Sequence, residues 1–329
     1  MILLKYKEIG RGLKVKDIKI FACNTAEKFT EEVCSCLKLK MGEKDSYKFK
    51  NDNNFVQFKE SIRNQDVYLI QTTEVPVNER IMELLITIDA AKRAAAKRIT
   101  VVLPYFIYSR TDKKDQPRVP ITSKLIAKLI ETAGADRVIT CDLHNSAIQA
   151  FFEIGCDRLT GSYLLADYFK KKKLEDMVIV ATDAGSSKKA YKYSKLLNCP
   201  MALIDKRRSN NDDKAVAANI IGDVRNKTAL ILDDEISTGG TLIEAINICE
   251  NHGAKEIYAG ATHGIFAGDA IERLDKSCAK EVVVTNTIPI DDKKKIDKIK
   301  VISIAPLFAE AIRRVNEGQA LGDLFLYEK

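Results

Sequence analysis

One rhythm dominates this sequence. A short apolar run rich in β-branched residues is followed by a polar loop and an amphipathic helical stretch, and the unit recurs along most of the chain. Few folds accept that alternation: strands separated by crossover helices lie parallel, and a parallel sheet must be covered on both faces. The spacing predicts strands over Ile18–Ala22, Val67–Gln71, Ile99–Pro104 and Arg137–Cys141 in the first half. In the second half it predicts Met177–Ala181, Met201–Asp205, Ala229–Leu232, Glu256–Ala261 and Glu281–Asn286. Helices are expected over Ala26–Leu37, Asn78–Lys97, Thr122–Ala133, Ser162–Lys172, Ser187–Leu197, Leu242–Asn251 and Ala267–Leu274. Thr122 suits an N-cap, and Gly134 and Gly253 suit helix ends. A strand–helix–strand unit around VYLIQ and RITVVLP has a counterpart in pattern around TALIL and EIYAGAT, which suggests two related halves.

A chain of 329 residues is long for one core and comfortable for two domains, with the boundary near Leu159 to Ser162. No apolar run approaches the roughly 20 residues of a membrane-spanning helix. The apolar start at Met1 meets Lys5 too soon for a signal peptide, so a cytoplasmic location is the expectation. The eight cysteines form no Cys-x-x-Cys pair, and most are expected to be small reduced core residues rather than zinc or redox ligands. The net charge of +7 is spread along the chain and favours anionic partners. Trp is absent and the basic runs lack interleaved stacking aromatics, so the anion expected is a small phosphorylated compound and no nucleic acid partner is expected.

The most informative segment is LILDDEISTGGTL, Leu230 to Leu242. An apolar strand runs into two adjacent carboxylates, and a Ser-Thr-Gly-Gly-Thr turn then opens a helix. Glycines at that turn let backbone N–H groups converge on an anion, and the helix N-terminus adds favourable partial charge. Ser237, Thr238, Gly239, Gly240 and Thr241 therefore read as a phosphate cradle, with Asp233 and Asp234 as acceptors for sugar hydroxyls. A helix cap behind exposed acids would be the plainer account of a lone Thr-Gly-Gly-Thr. No Gly-x-x-x-x-Gly-Lys loop is present.

This segment resembles the phosphoribosyl-binding loop shared by type I phosphoribosyltransferases and ribose-phosphate diphosphokinases. FACNTAEKFTEEV, the long stretch from IQTTEVP to YSRTDKK, PITSKLIAKLIETAGADRVITCDLHNSAIQAFF and IDKRR resemble the second family in order and spacing, from Ile18 to Leu326. The resemblance implies two Rossmann-like α/β domains of the type I phosphoribosyltransferase kind, each a mainly parallel sheet flanked by helices. A nucleotide-binding domain would span 1–160 and a ribose-phosphate-binding domain 161–307, with 308–329 packing back on the first. The implied reaction transfers the β,γ-diphosphoryl group of Mg-ATP to O1 of ribose 5-phosphate, giving phosphoribosyl diphosphate and AMP.

The resemblance also implies residue roles. Lys206 and Arg208 would stabilise the transferring group, under a lid that includes Ser209 to Asp213, with Arg208 also touching ribose 5-phosphate. Arg110, Thr111 and Asp112 would hold ATP phosphates, and Phe49, Asn51, Asp52 and Asn53 would meet the adenine from a neighbouring subunit. His144 and Asp183 would contact Mg2+, the histidine directly or through water. Homo-oligomerisation follows, as a hexamer or another dimer-based assembly. Ser61, Arg63 and Ser303 resemble parts of the family's regulatory anion site, from which Ala305 departs. Four other positions depart from the family pattern: Asn53 for Glu, Thr111 for Gln, Ser186 for Gly and Lys189 for Arg. These departures keep open a noncatalytic regulatory subunit, and the shared phosphate loop keeps open a phosphoribosyltransferase.

Overall fold

The computed structural model describes residues 17–205 and 219–325, and no helix among them is long and apolar enough to cross a membrane. The chain forms two compact units. One contains residues up to Thr160, residues 287–289 and the segment from Ser303 onward; the other contains Gly161–Asn286 and Ile290–Ile302.

The first unit begins with β1 (Ile18–Ala22) and α1 (Glu27–Leu37), followed by a hairpin of β2 (Lys44–Lys48) and β3 (Asn54–Phe58). Then come β4 (Asp66–Ile70), α2 (Val77–Arg93), β5 (Arg98–Leu103), α3 (Thr122–Ala133), β6 (Arg137–Cys141) and β7 (Gly155–Leu159). The sheet runs β1-β4-β5-β6-β7, all parallel. Alternate residues of its strands face opposite ways. Val67, Leu69, Val101 and Val138 pack with Leu84 and Ile88 of α2 and Ile126 and Ile130 of α3.

The expected helix to Lys97 stops at Arg93. Ala95 turns left-handed, and the chain is held there by Asn64 N–H donating to the Ala95 carbonyl (2.9 Å) and Lys97 N–H to that of Gln65 (2.9 Å). Tertiary bonds override helix propensity at that point. The two-stranded hairpin lies outside the expected strands: Lys44–Lys48 has no apolar face of its own.

The second unit is doubly wound. It contains α4 (Ser162–Lys172), β8 (Met177–Ala181), α5 (Ser187–Leu197), β9 (Met201–Asp205), β10 (Asn219–Ile221) and β11 (Thr228–Ile236). It continues with α6 (Gly240–Asn251), β12 (Glu256–Gly264), α7 (Ala270–Lys276), β13 (Glu281–Thr285) and β14 (Ile299–Ile302). The order is β10-β9-β8-β11-β12-β13-β14, parallel except for the β10 edge. Helices α6 and α7 cover one face through Ala245, Ile246, Ala270 and Leu274. Helices α4 and α5 cover the other through Leu165, Phe169, Ala190 and Tyr193.

After β14 the chain returns to the first unit as α8 (Ala305–Glu317), with Pro in its first turn where the missing N–H costs no helix bond. Phe308 meets Phe29 of α1 edge-on at 5.5 Å. Asn316 donates to Asp66 (2.8 Å), which also takes Arg98 Nε (2.8 Å) and the Tyr68 hydroxyl (3.0 Å).

Candidate active site

In the second unit the chain leaves β8 toward β9 on one side and later returns to β11 on the other. Open α/β sheets place ligands outside the carboxyl ends of strands at such a reversal. Asp183 follows β8, and Asp233 and Asp234 lie near the end of β11, paired in parallel with β8 through Leu230 and Ile179. Strand β11 runs four residues beyond the expected Leu232, because β12 also continues and opposes Asp233 with Ala261 and Glu235 with His263. The acids therefore sit within the ladder, whose backbone bonds do not depend on side-chain polarity.

Past the strand, Ser237 and Thr238 lead to Gly239, which is left-handed at φ 72°, and Gly240 opens α6 two residues before the expected start. A glycine adopts that φ without a Cβ penalty. The first-turn N–H groups of α6 have no intrahelical acceptor, and no side chain caps this end. The Ser237 carbonyl accepts from Ala267 N–H (3.1 Å), which fixes the turn against the segment before α7.

Beside this turn, Lys189 of α5 bridges the acid pair: its Nζ donates to Asp233 Oδ1 and, at 2.5 Å, to Asp234 Oδ1. Asp233 Oδ1 also accepts from Asp234 N–H (2.8 Å). Burial and the neighbouring Asp234 carboxyl push the Asp233 carboxyl up to about 6, while the Lys189 charge pulls the other way. Burial alone would lower the Lys189 ammonium, but the two carboxylates outweigh it and hold it above its ordinary value. The start of α5 is fixed by a reciprocal pair. Ser186 N–H donates to Asp183 Oδ1 (2.8 Å), and Asp183 N–H donates to Ser186 Oγ (3.1 Å). Ser186 thus stands at the N-terminus of the helix without a side-chain cap bond, its hydroxyl tied to the Asp183 backbone and its N–H to the exposed Asp183 carboxylate.

In the first unit, the loop after β5 carries exposed Arg110 and Thr111 and half-buried Asp112. Thr111 Oγ1 donates to the Tyr108 carbonyl (2.8 Å), so this departure closes a turn of its own loop. Asn145 Nδ2 donates to Asp112 Oδ2 (2.8 Å), joining that loop to the one after β6, where His144 is exposed. Phe49, Asn51, Asp52 and Asn53 form the tip of the hairpin. Phe49 N–H donates to the Asn53 carbonyl (2.8 Å), Asn53 N–H to Asn51 Oδ1 (3.3 Å), and Lys48 to Asp52 (2.9 Å). Tyr47 and Phe49, both about half exposed, lie on one face with Phe55. Ser303 Oγ donates to Glu32 (2.5 Å) in the same unit.

Sequence reasoning missed what anchors that hairpin. Glu83 of α2, 3 % exposed at its side chain, accepts from Asn24 N–H (2.9 Å), Ser46 Oγ (2.9 Å) and Lys44 Nζ (3.3 Å). The available signal was its place between apolar residues of the helix, in IMELLI, with Arg80 three residues before it as a partner. Lys206, Arg208 and Ser209 to Asp213 lie outside the described residues. His263 is buried and opposite Asn286, while the His252 ring accompanies the Ile248 carbonyl at the end of α6 (2.8 Å).

Comparison with known proteins agrees over nearly the whole chain. Residues 18–134 match the N-terminal domain of ribose phosphate pyrophosphokinase, and 209–326 match the phosphoribosyl synthetase-associated domain. The ribose-phosphate pyrophosphokinase of Bacillus caldolyticus is 48% identical over 308 residues, covering 94% of this chain and 98% of that protein. That of Bacillus subtilis is 46% identical over 310 residues, covering 94% and 98%. The crystal structure of phosphoribosylpyrophosphate synthetase from Mycobacterium smegmatis superposes with a TM-score of 0.87 at 40% identity, covering 92% of this chain and 100% of that one. On the fold, the acid pair with its glycine turn and this likeness over both units, the chain belongs to the ribose-phosphate pyrophosphokinase family of enzymes.

Proposed function

We propose that the chain transfers the β,γ-diphosphoryl group of Mg-ATP to O1 of ribose 5-phosphate, releasing phosphoribosyl diphosphate and AMP. The observation that carries this reading is the arrangement at the end of β11, where Asp233 and Asp234 stand beside the glycine turn 237–241 and the start of α6. Hydroxyls of the sugar donate to the acids, and the 5-phosphate takes backbone N–H groups and the hydroxyls of Ser237, Thr238 and Thr241. Held so, O1 attacks the β-phosphorus, the bond from that phosphorus to the AMP oxygen breaks, and the hydroxyl proton passes to water. Positioning supplies much of the rate without a dedicated base.

Arg110 and Asp112 belong to the ATP phosphate loop in this reading, and Phe49 with Asn51, Asp52 and Asn53 meets the adenine in a neighbouring subunit of a homo-oligomer. Lys206 and Arg208 carry the charge that develops on the transferring oxygens. Magnesium takes oxygen donors, keeps several waters and is commonly shared with substrate phosphates. Among the described residues no group of three or more His, Cys, Asp or Glu side chains could hold a metal ion. Asp183, an exposed carboxylate fixed through one oxygen, would fit a single contact to a metal carried by a substrate phosphate, and exposed His144, in the other unit, would fit a metal contact of its own through water. Bound magnesium supplies charge neutralisation at the β- and γ-phosphates.

The test is AMP formation from ATP by the purified chain, with and without ribose 5-phosphate and magnesium. Sugar- and magnesium-dependent release is expected, reduced roughly 100-fold or more in Lys206→Ala by loss of transition-state stabilisation. A folded wild-type chain that releases no AMP, with phosphate also supplied, would instead be a noncatalytic subunit.

A further inference from the structure

Lys189 has no role in the reading above, yet it touches both acids on which that reading depends. Its Nζ reaches one oxygen of each, and its side chain is about one-third exposed, less than is usual for a lysine. The helix that carries it is pinned through the Asp183–Ser186 pair at its first turn, so the ammonium is aimed rather than loosely tethered.

Two adjacent carboxylates without a counter-charge would repel each other and a dianionic sugar phosphate alike. The ammonium cancels one of the two charges. It does so without exhausting the acceptors, since a carboxylate offers about four lone-pair sites and can hold an ammonium and a hydroxyl together. A lysine here also differs from the family's arginine in kind. A guanidinium makes two parallel bonds in a rigid plane, whereas a compact ammonium with three rotatable donors can sit between two residues.

We propose that Lys189 is a positioning residue of the ribose 5-phosphate site, which fixes the orientation of Asp233 and Asp234 and keeps their combined charge low enough to admit the sugar phosphate. The inference rests on the reading of those acids as acceptors for the sugar.

The experiment measures ribose 5-phosphate binding to the full chain by calorimetry, for wild type, Lys189→Gln and Lys189→Arg, with steady-state AMP release alongside. Lys189→Gln is expected to bind the sugar roughly tenfold more weakly, the size of one lost charge-assisted contact. The sugar KM should rise in step while kcat and the ATP KM stay within about threefold, and Lys189→Arg should recover most of the affinity because the charge returns. Unchanged or tighter sugar binding in Lys189→Gln would overturn the inference and make the ammonium a competitor of the sugar. Equal losses for both substrates, without recovery in Lys189→Arg, would also overturn it and leave Lys189 a purely structural group. A wild type that does not bind ribose 5-phosphate removes the reading of the site itself; binding by wild type with an indifferent Lys189→Gln removes only the inference.

Discussion

Asp233 holds its proton to a higher pH than an exposed aspartate does, and this sets a condition on sugar binding. Among the described residues the charged groups facing it are Lys189 of α5 and Asp234 of its own strand, and β12 opposes it with Ala261. Burial and the neighbouring Asp234 carboxyl favour the neutral acid, giving a value of about 6. Only the ionised form accepts hydroxyl bonds on both oxygens, so affinity for ribose 5-phosphate should fall as the pH drops through that value. The sugar phosphate loses its own second proton near about pH 6, which makes Asp233→Asn the necessary reference. The ratio of wild-type to variant affinity should decline roughly tenfold for each pH unit below the inflection; a ratio that stays flat would refute the assignment. At this scale the acids and the glycine turn were legible, because residue type and order state their chemistry. The roles of Ser186 and Thr111 were not. Each reads as a departure in sequence, but each hydroxyl is engaged locally, with Asp183 and with the Tyr108 carbonyl.

Among the elements, the least legible was the hairpin that presents Phe49. Its strands alternate between two unlike faces. Lys44, Ser46 and Lys48 turn toward α2, where Glu83 and Glu79 receive them, while Tyr47, Phe49 and Phe55 stand on the other face. A polar face answered by a distant helix looks like a solvated loop until the helix is in place. Replacing Glu83 with Ala leaves Lys44, whose side chain is 5 % exposed, without its counter-charge. Removal of one member of a buried pair costs about 3 kcal/mol or more, and urea unfolding of Glu83→Ala should show a loss of that order. The double replacement Glu83→Leu with Lys44→Met should recover only part of it, since the buried ammonium is gone but Arg80 loses a counter-charge and Asn24 N–H and Ser46 Oγ lose their acceptor. A single variant as stable as wild type would mean that water reaches Lys44 freely.

For the whole molecule, the rhythm of strand and helix was enough to read two parallel sheets, and the structural units divide beside Thr160. The winding of each sheet was beyond that reading, because a strand's place depends on which neighbour accepts its ladder rather than on its own residues. Helix α8 was also missed as a helix, although Leu307, Phe308, Ala311, Ile312 and Val315 are buried on it. Helices α2 and α3 cover one face of the first sheet, and this distant segment completes the rest of the cover with α1, so a fragment ending at Thr160 should lack a stable fold. Each fully buried Phe, Leu, Ile or Val contributes about 1.5–3 kcal/mol. The fragment should bind a hydrophobic dye and give a broad thermal transition, and the Ser303–Lys329 segment supplied as a peptide should sharpen it. A fragment that melts cooperatively alone would show that α8 is dispensable. The same chain path acts during translation. Domains generally fold as units, the N-terminal one first as it is made, but here the part that completes the first unit leaves the ribosome after all of the second. A nascent chain must therefore carry a sheet covered incompletely through most of its synthesis, and a prematurely terminated product lacks the helix that would close its first unit.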